Sequence, residues 1–106
     1  AVTVPLYTDL MKESSSAKDI HALLGDYYSG ESFVKVVPFG TDEGLDGKFF
    51  DITALNGTNR AEIFVFGDDR KVSIMTRIDN LGKGASGSAV QNMNIALGFD
   101  ESTGLV

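Results

Sequence analysis

Hydrophobic and polar positions alternate over Val2-Thr3-Val4-Pro5-Leu6-Tyr7-Thr8, with Val2, Val4 and Leu6 set against Thr3, Pro5 and Tyr7. A period of two predicts a half-buried strand. Pro5 lacks an N–H, which places that strand at a sheet edge or a bulge. The period then lengthens. Ile20, Leu23, Leu24, Tyr27 and Tyr28 follow i, i+3, i+4, i+7 and i+8, a single apolar stripe that predicts a helix. Ser16 is its expected N-cap, with Asp19 at the capping-box position, and Gly30 is its expected stop. Phe33 to Val37 reads as a second strand ended by Pro38, and Phe49 to Leu55 as a short strand. Asn56-Gly57 signals a turn. The apolar run Ala61 to Phe66, the turn Gly67-Asp68-Asp69-Arg70 and the alternation Val72, Ile74, Thr76, Ile78 predict an antiparallel hairpin. Beyond a glycine-rich stretch, Ala89, Val90, Met93 and Leu97 predict the buried face of a second helix, stopped at Gly98.

This order predicts one α+β domain over residues 1–106, with an antiparallel or mixed sheet and two helices on one face. Tyr7, Met75 and the aromatics of the Phe64 to Phe66 run leave the other face partly apolar, which reads as an interface. The length of 106 residues suits a single core. A net charge of −6 without a basic stripe argues against nucleic-acid binding. No apolar run approaches the roughly 18 residues of a membrane span, and Ala1 begins no signal-peptide pattern. The absence of cysteine excludes disulfides, fits a reducing cytoplasmic setting and removes the thiol as a nucleophile. The acidic, glycine-rich stretch from Gly40 to Lys48 lacks EF-hand spacing and reads as a solvated loop, so no metal site is expected. The chain opens directly in a strand without an initiator Met, which suggests a piece cut from a longer protein.

The stretch with the most chemistry runs from Ile78 to Asn94. Asn80, Gly82, Lys83, Gly84, Ala85, Ser86 and Gly87 lie where a strand hands over to a helix. Glycines permit close approach to the backbone, Lys83 adds a positive charge, and a helix N-terminus favours an anion. The alternative is that the glycines only turn the chain while Ser86 or Ser88 caps the helix. Gly82-Lys83-Gly84-Ala85-Ser86-Gly87 also spells G-x-G-x-x-G, but no second buried strand with an acidic residue follows before Val106, so a dinucleotide fold is not indicated. The order G-K-[ST] of a phosphate-binding loop is absent as well. His21, the only histidine, lies beside the first helical stripe and reads as a core-edge side chain rather than a catalytic base. Asn59 fits a turn and a pocket equally well. Arg60 is either an anion partner or a solvated charge.

Asp79-Asn80-Leu81-Gly82-Lys83-Gly84-Ala85-Ser86-Gly87, with Ala89-Val90-Gln91-Asn92-Met93-Asn94 and Thr103-Gly104-Leu105, resembles the C-terminal signature of N-acetyl-gamma-glutamyl-phosphate reductases. A looser version occurs in aspartate-semialdehyde dehydrogenase. Tyr27-Tyr28 through Ser32-Phe33-Val34 and Asn56-Gly57-Thr58-Asn59 resemble two further segments of the same family. The resemblance covers almost all of this chain but only about the last third of such an enzyme. It implies part of a glyceraldehyde-3-phosphate-dehydrogenase-like C-terminal domain that serves dimerisation and substrate binding.

The whole enzyme so implied is a cytoplasmic oxidoreductase of arginine biosynthesis. It reduces N-acetyl-glutamyl phosphate to the semialdehyde with NADPH, through a cysteine thioester. The cysteine, the catalytic histidine and most of the NADP site are implied to lie in the absent part, so the catalytic residues in this fragment are none and the fragment alone is expected to be inactive. Asn80, Gly82 to Gly87 and Asn59 are implied to wall the substrate and cofactor pocket. The family usually carries Gln where this chain has Ser88, so no side-chain role transfers to that position. The implied partners are the substrate, NADPH and a second subunit. A stand-alone small-molecule-binding or dimerisation module, or a fragment of a related semialdehyde dehydrogenase, are the alternatives. Gln91-Asn92-Met93-Asn94 favours the acetylglutamyl enzyme.

Overall fold

A computed structural model describes all residues from 1 to 106. The strands are β1 (Val2–Tyr7), β2 (Val34–Val36), β3 (Ala61–Gly67) and β4 (Lys71–Ile78), and the helices are α1 (Ala17–Tyr27) and α2 (Gly87–Leu97). One mixed sheet runs in the order β1-β4-β3-β2. β1 and β3 flank β4 antiparallel, and β2 joins β3 parallel. The expected hairpin is β3–β4, in the register Phe64↔Met75 and Val65↔Ile74. β1 is an edge strand, where the missing N–H of Pro5 leaves no interior ladder unmade.

Alternation sorts the sheet into two faces. Ala61, Ile63 and Val65 share one face with Val72, Ile74 and Leu6 through the strand registers. Helix α1 lies across this face, where Ala17 and Ile20 close on Val65 and Val72, with Leu6, Leu24, Phe39 and Ile74 around them. The Ser16 hydroxyl accepts from the Asp19 N–H and the Asp19 carboxylate accepts from the Ser16 N–H, so the capping box forms as expected. The expected stripe is buried only at its base. Leu23 and Tyr27 are exposed, because the small sheet of this chain offers α1 no surface on that side.

The opposite face is covered at one end by the segment from Gly44 to Asp51. Arg77 organises this cover. Its guanidinium donates to Glu62 Oε2 (Nε at 2.8 Å), to the Asp51 carbonyl (2.7 Å) and to the Gly44 carbonyl (2.6 Å). It also stands over the Phe50 and Phe64 rings at 5.3 and 5.1 Å. The expected strand from Phe49 to Leu55 does not form. Asp51 draws Thr53 into a tight turn by accepting from both its N–H and its hydroxyl, and further turns follow, so the backbone groups are satisfied locally rather than by a neighbouring strand. The other end of this face stays open around exposed Tyr7 and half-buried Ser73, Met75 and Phe66.

Helix α2 departs most from its sequence pattern. Its buried residues are Gly87 and Asn94, with Val90 and Gln91 half-buried, whereas Ala89, Met93 and Leu97 are exposed. The apolar stripe therefore points outward. Asn94 is buried because its amide donates to the Glu101 and Thr103 carbonyls, pinning the C-terminal turn to the helix. Gly98 ends α2 in the left-handed region (φ 74°), as a C-terminal glycine does.

Candidate functional site

The glycine stretch leaves β4 beside the segment that enters β3. Gly82 packs so closely on the Thr58 carbonyl that no Cβ fits between them, and Gly87 packs in the same way on the Asn59 amide oxygen and the Gly82 carbonyl. Gly84 lies over the end of Ile78, which keeps this turn on the same sheet face as α1. The turn is not an open loop. Gly82–Ser86 forms one π-helical turn that continues into α2. Ser86 N–H donates to the Leu81 carbonyl at 3.1 Å, and Gly87 N–H to the Gly82 carbonyl. The Ser86 and Ser88 hydroxyls donate back to the Leu81 and Lys83 carbonyls, so neither serine caps the helix. Single π-turns of this kind are frequent at functional sites.

The helical run thus starts earlier than expected, and its first amides are already occupied. Asp79 accepts from Gly57 N–H at 2.9 Å and from Leu81 N–H at 3.1 Å. These donors, with Gly82 N–H, hold its carboxyl below the ordinary value of 3.8. The anion that the sequence leads one to seek at this helix start is supplied by the chain itself. The folded pKa is depressed, so this contribution is present above the unfolded value and is lost as pH falls through the folded one. Amide exchange at Gly57 and Leu81 is accordingly expected to accelerate as pH drops below about 4, after correction for intrinsic rates, and Asp79→Asn should abolish that dependence. An unchanged dependence in Asp79→Asn would assign it to another carboxylate.

Lys83 does not point at an empty site. Its ammonium donates to Gln91 Oε1 at 2.5 Å and lies 5.8 Å from the centre of the Phe33 ring. Asn59 is buried, with its N–H on the Val106 carbonyl at 2.7 Å and its amide nitrogen on Gln91 Oε1 at 2.9 Å. The Asn59 amide oxygen has no hydrogen-bond partner. Asn80, Gly84, Ala85 and Ser86 are exposed and form the outer surface of the turn. The structure therefore brings Asn59, Gly82, Lys83 and Gly87 together on the inside and sets the other four on the outside. Arg60 is exposed on a neighbouring cleft of about 210 Å³ with Ser32 to Lys35. His21 Nε2 donates to the Val37 carbonyl at 2.9 Å, and the ring tilts against Phe39, as a packing histidine does.

Gln91, Glu101, Ser32 and Asp79 belong to the site without having been singled out from the sequence for a role there. Polar residues within an apolar helical pattern are the only local signal for the first of them.

The profile of the semialdehyde dehydrogenase dimerisation domain matches residues 2–80. The chain belongs to that family. It is 49% identical to N-acetyl-gamma-glutamyl-phosphate reductase 2 of Nostoc sp. (strain PCC 7120 / SAG 25.82 / UTEX 2576) over 98% of this chain and 33% of the relative. It is 47% identical to N-acetyl-gamma-glutamyl-phosphate reductase of Trichormus variabilis over the same shares. The Sinorhizobium medicae reductase is 44% identical over 91% of this chain and 31% of its own length. The chain thus spans about a third of the length of the curated relatives it matches. No helix is long and apolar enough to cross a membrane.

Proposed function

We propose that this chain is the dimer-forming and pocket-wall part of an N-acetyl-gamma-glutamyl-phosphate reductase. The carrying observation is the 49% identity to a protein of that name across 98% of the chain, the glycine turn included. In this reading the whole enzyme is a cytoplasmic oxidoreductase of arginine biosynthesis that converts N-acetyl-glutamyl phosphate to the semialdehyde and releases phosphate. The thiol that attacks the acyl phosphate, the acid–base histidine and the dinucleotide domain come from the remaining two-thirds, since this chain has no cysteine and its one histidine is engaged in packing.

NADPH supplies the hydride when bound. The residues of the turn fit the uncharged end of that cofactor better than its phosphates. The Asp79 carboxylate stands at the helix start, where it repels a pyrophosphate, while the Asn80 carboxamide and the exposed surface of Gly84 and Ala85 suit a neutral amide, a planar ring or the acetamido end of the substrate. The open sheet face around Tyr7, Met75 and Phe66 is the surface available for a second subunit. The outward stripe Ala89, Met93 and Leu97 lies beyond the matched dimerisation stretch and faces the rest of the enzyme in this reading.

The test is a chimera in which these 106 residues replace the matching third of the Nostoc reductase. The chimera is expected to catalyse phosphate-dependent reduction of NADP by the semialdehyde, and the isolated chain is expected to show none. A chimera that is folded and dimeric by circular dichroism and sedimentation, yet inactive, would overturn the proposal.

A further inference from the structure

Three charged or polar elements of the chain meet at one side chain that the reading above does not use. Gln91 Oε1 accepts from Lys83 Nζ at 2.5 Å and from Asn59 Nδ2 at 2.9 Å. Gln91 Nε2 donates to Glu101 Oε2 at 3.2 Å, and Glu101 Oε1 accepts from the Ser32 hydroxyl at 2.5 Å. Lys83 and Glu101 are joined through a carboxamide whose oxygen faces the cation and whose nitrogen faces the anion.

We propose that Gln91 is a positioning residue, which closes the Lys83–Glu101 pair through its own amide and thereby fixes the π-helical glycine turn against Asn59 and the segment before β2. The deduction rests on orientation. An amide can be turned end for end without changing its shape, and its neighbours decide which way it points. Here the two charges decide. Turned round, Gln91 would present N–H groups to an ammonium and its oxygen to a carboxylate. With Gln91 fixed, Asn59 can offer it only the amide nitrogen. The Asn59 oxygen is left facing Gly87, at the place a Cβ would fill. The Asn59 end of the network thus accounts for the buried unpaired oxygen and, together with the Gly82 carbonyl, for the need for glycine at position 87. The Glu101 carboxyl is held below its ordinary range first by Ser32 and then by Gln91, against the opposing effects of burial and Asp100, with Lys83 adding a little. Glu101 is therefore charged at neutral pH, as the orientation argument requires. Hydrogen bonds of this kind, to ionised groups, are the stronger ones.

This inference uses the pocket-wall reading only for its consequence in catalysis. The test is an exchange of chemical groups, made in the Nostoc chimera. Gln91→Glu sets two carboxylates against each other and is expected to speed amide exchange over residues 82–87 by about ten-fold. Adding Glu101→Gln restores a donor–acceptor pair with its polarity kept toward Lys83, and is expected to return exchange to the parental rate. The strands β3 and β4 should be unaffected in either variant. If the turn walls the pocket, kcat falls about ten-fold or more in Gln91→Glu and recovers in the double variant, with KM changing less. Exchange that stays fast in the double variant would overturn the role of Gln91. Exchange that recovers while kcat is flat throughout would leave the Gln91 bridge standing and overturn the pocket-wall reading instead.

Discussion

Arg77→Met is expected to cost about 3–5 kcal/mol in urea unfolding, the loss found when one partner of a buried ion pair is removed. Arg77 is buried and Glu62 largely so, with side chains 3% and 15% exposed. The substitution keeps much of the apolar stem over Phe50 and Phe64 but leaves the Glu62 charge and the Asp51 and Gly44 carbonyls without their donor. The Gly44 to Asp51 cover should then become the first site of proteolytic cleavage. In Arg77→Met combined with Glu62→Leu, most of the lost stability should return, since an apolar pair replaces an orphaned charge. The cover should stay loose, because its two carbonyl tethers are still missing. A single-variant loss below about 1 kcal/mol would place this pair with surface ion pairs and contradict its role as the fastener of that face.

The second large effect is expected in the glycine turn, and it is selective. Gly87→Ala and Gly82→Ala each force a methyl into backbone or a buried amide, at about 1–3 kcal/mol apiece. Gly84→Ala should cost under about 1 kcal/mol, since its neighbours, the Asp79 carbonyl and the tip of Ile78, stand at 3.3 Å and need to yield only slightly. In thermal melts this corresponds to a drop of roughly 4–8 °C per kcal/mol for a domain of this size. Equal losses at Gly84 and Gly87 would show that flexibility, rather than close approach, is what the glycines supply.

These two expectations also mark the limit of what the pattern of residues discloses. The β3–β4 hairpin, the edge position of β1 and the capping box of α1 were legible, because each depends on neighbours close in sequence or on a period of two. Arg77 reads as one polar position in an alternating strand. Nothing local says that its face is roofed by a segment 26 to 33 residues upstream. Helix α2 misleads for a different reason. The stripe Ala89, Met93, Leu97 correctly marks a surface made for apolar contact. Periodicity does not say whether the contacting partner lies within these 106 residues, and here the chain buries Gly87 and Asn94 instead.

At the candidate site, the sequence placed the glycine turn at the junction of β4 and α2. It did not disclose that Asp79 fills the helix start, because a capping carboxylate and a helix that awaits an external anion look alike until the turn's hydrogen bonds are traced. Nor did it disclose that Lys83 is held by Gln91. The structure supplies a physical reason for several residues of the stretch on which the resemblance rests. Gly82 and Gly87 admit close backbone approach, Asn94 pins the Thr103 turn, and Asn59 is tied to both Gln91 and the Val106 carbonyl.

The most direct measurement of whether the turn walls an active site uses Ala85. Its side chain is exposed, so Ala85→Trp should leave the melting temperature of the isolated chain within about 4 °C of the parent, the ordinary range for a surface substitution. In the Nostoc chimera the same change should lower kcat/KM by about 100-fold or more if the proposed pocket wall holds, because an indole would then occupy the space assigned to substrate and cofactor. A folded, dimeric Ala85→Trp chimera with parental kcat/KM would contradict the account, and would leave this turn as a link between a strand and a helix on the outside of the enzyme.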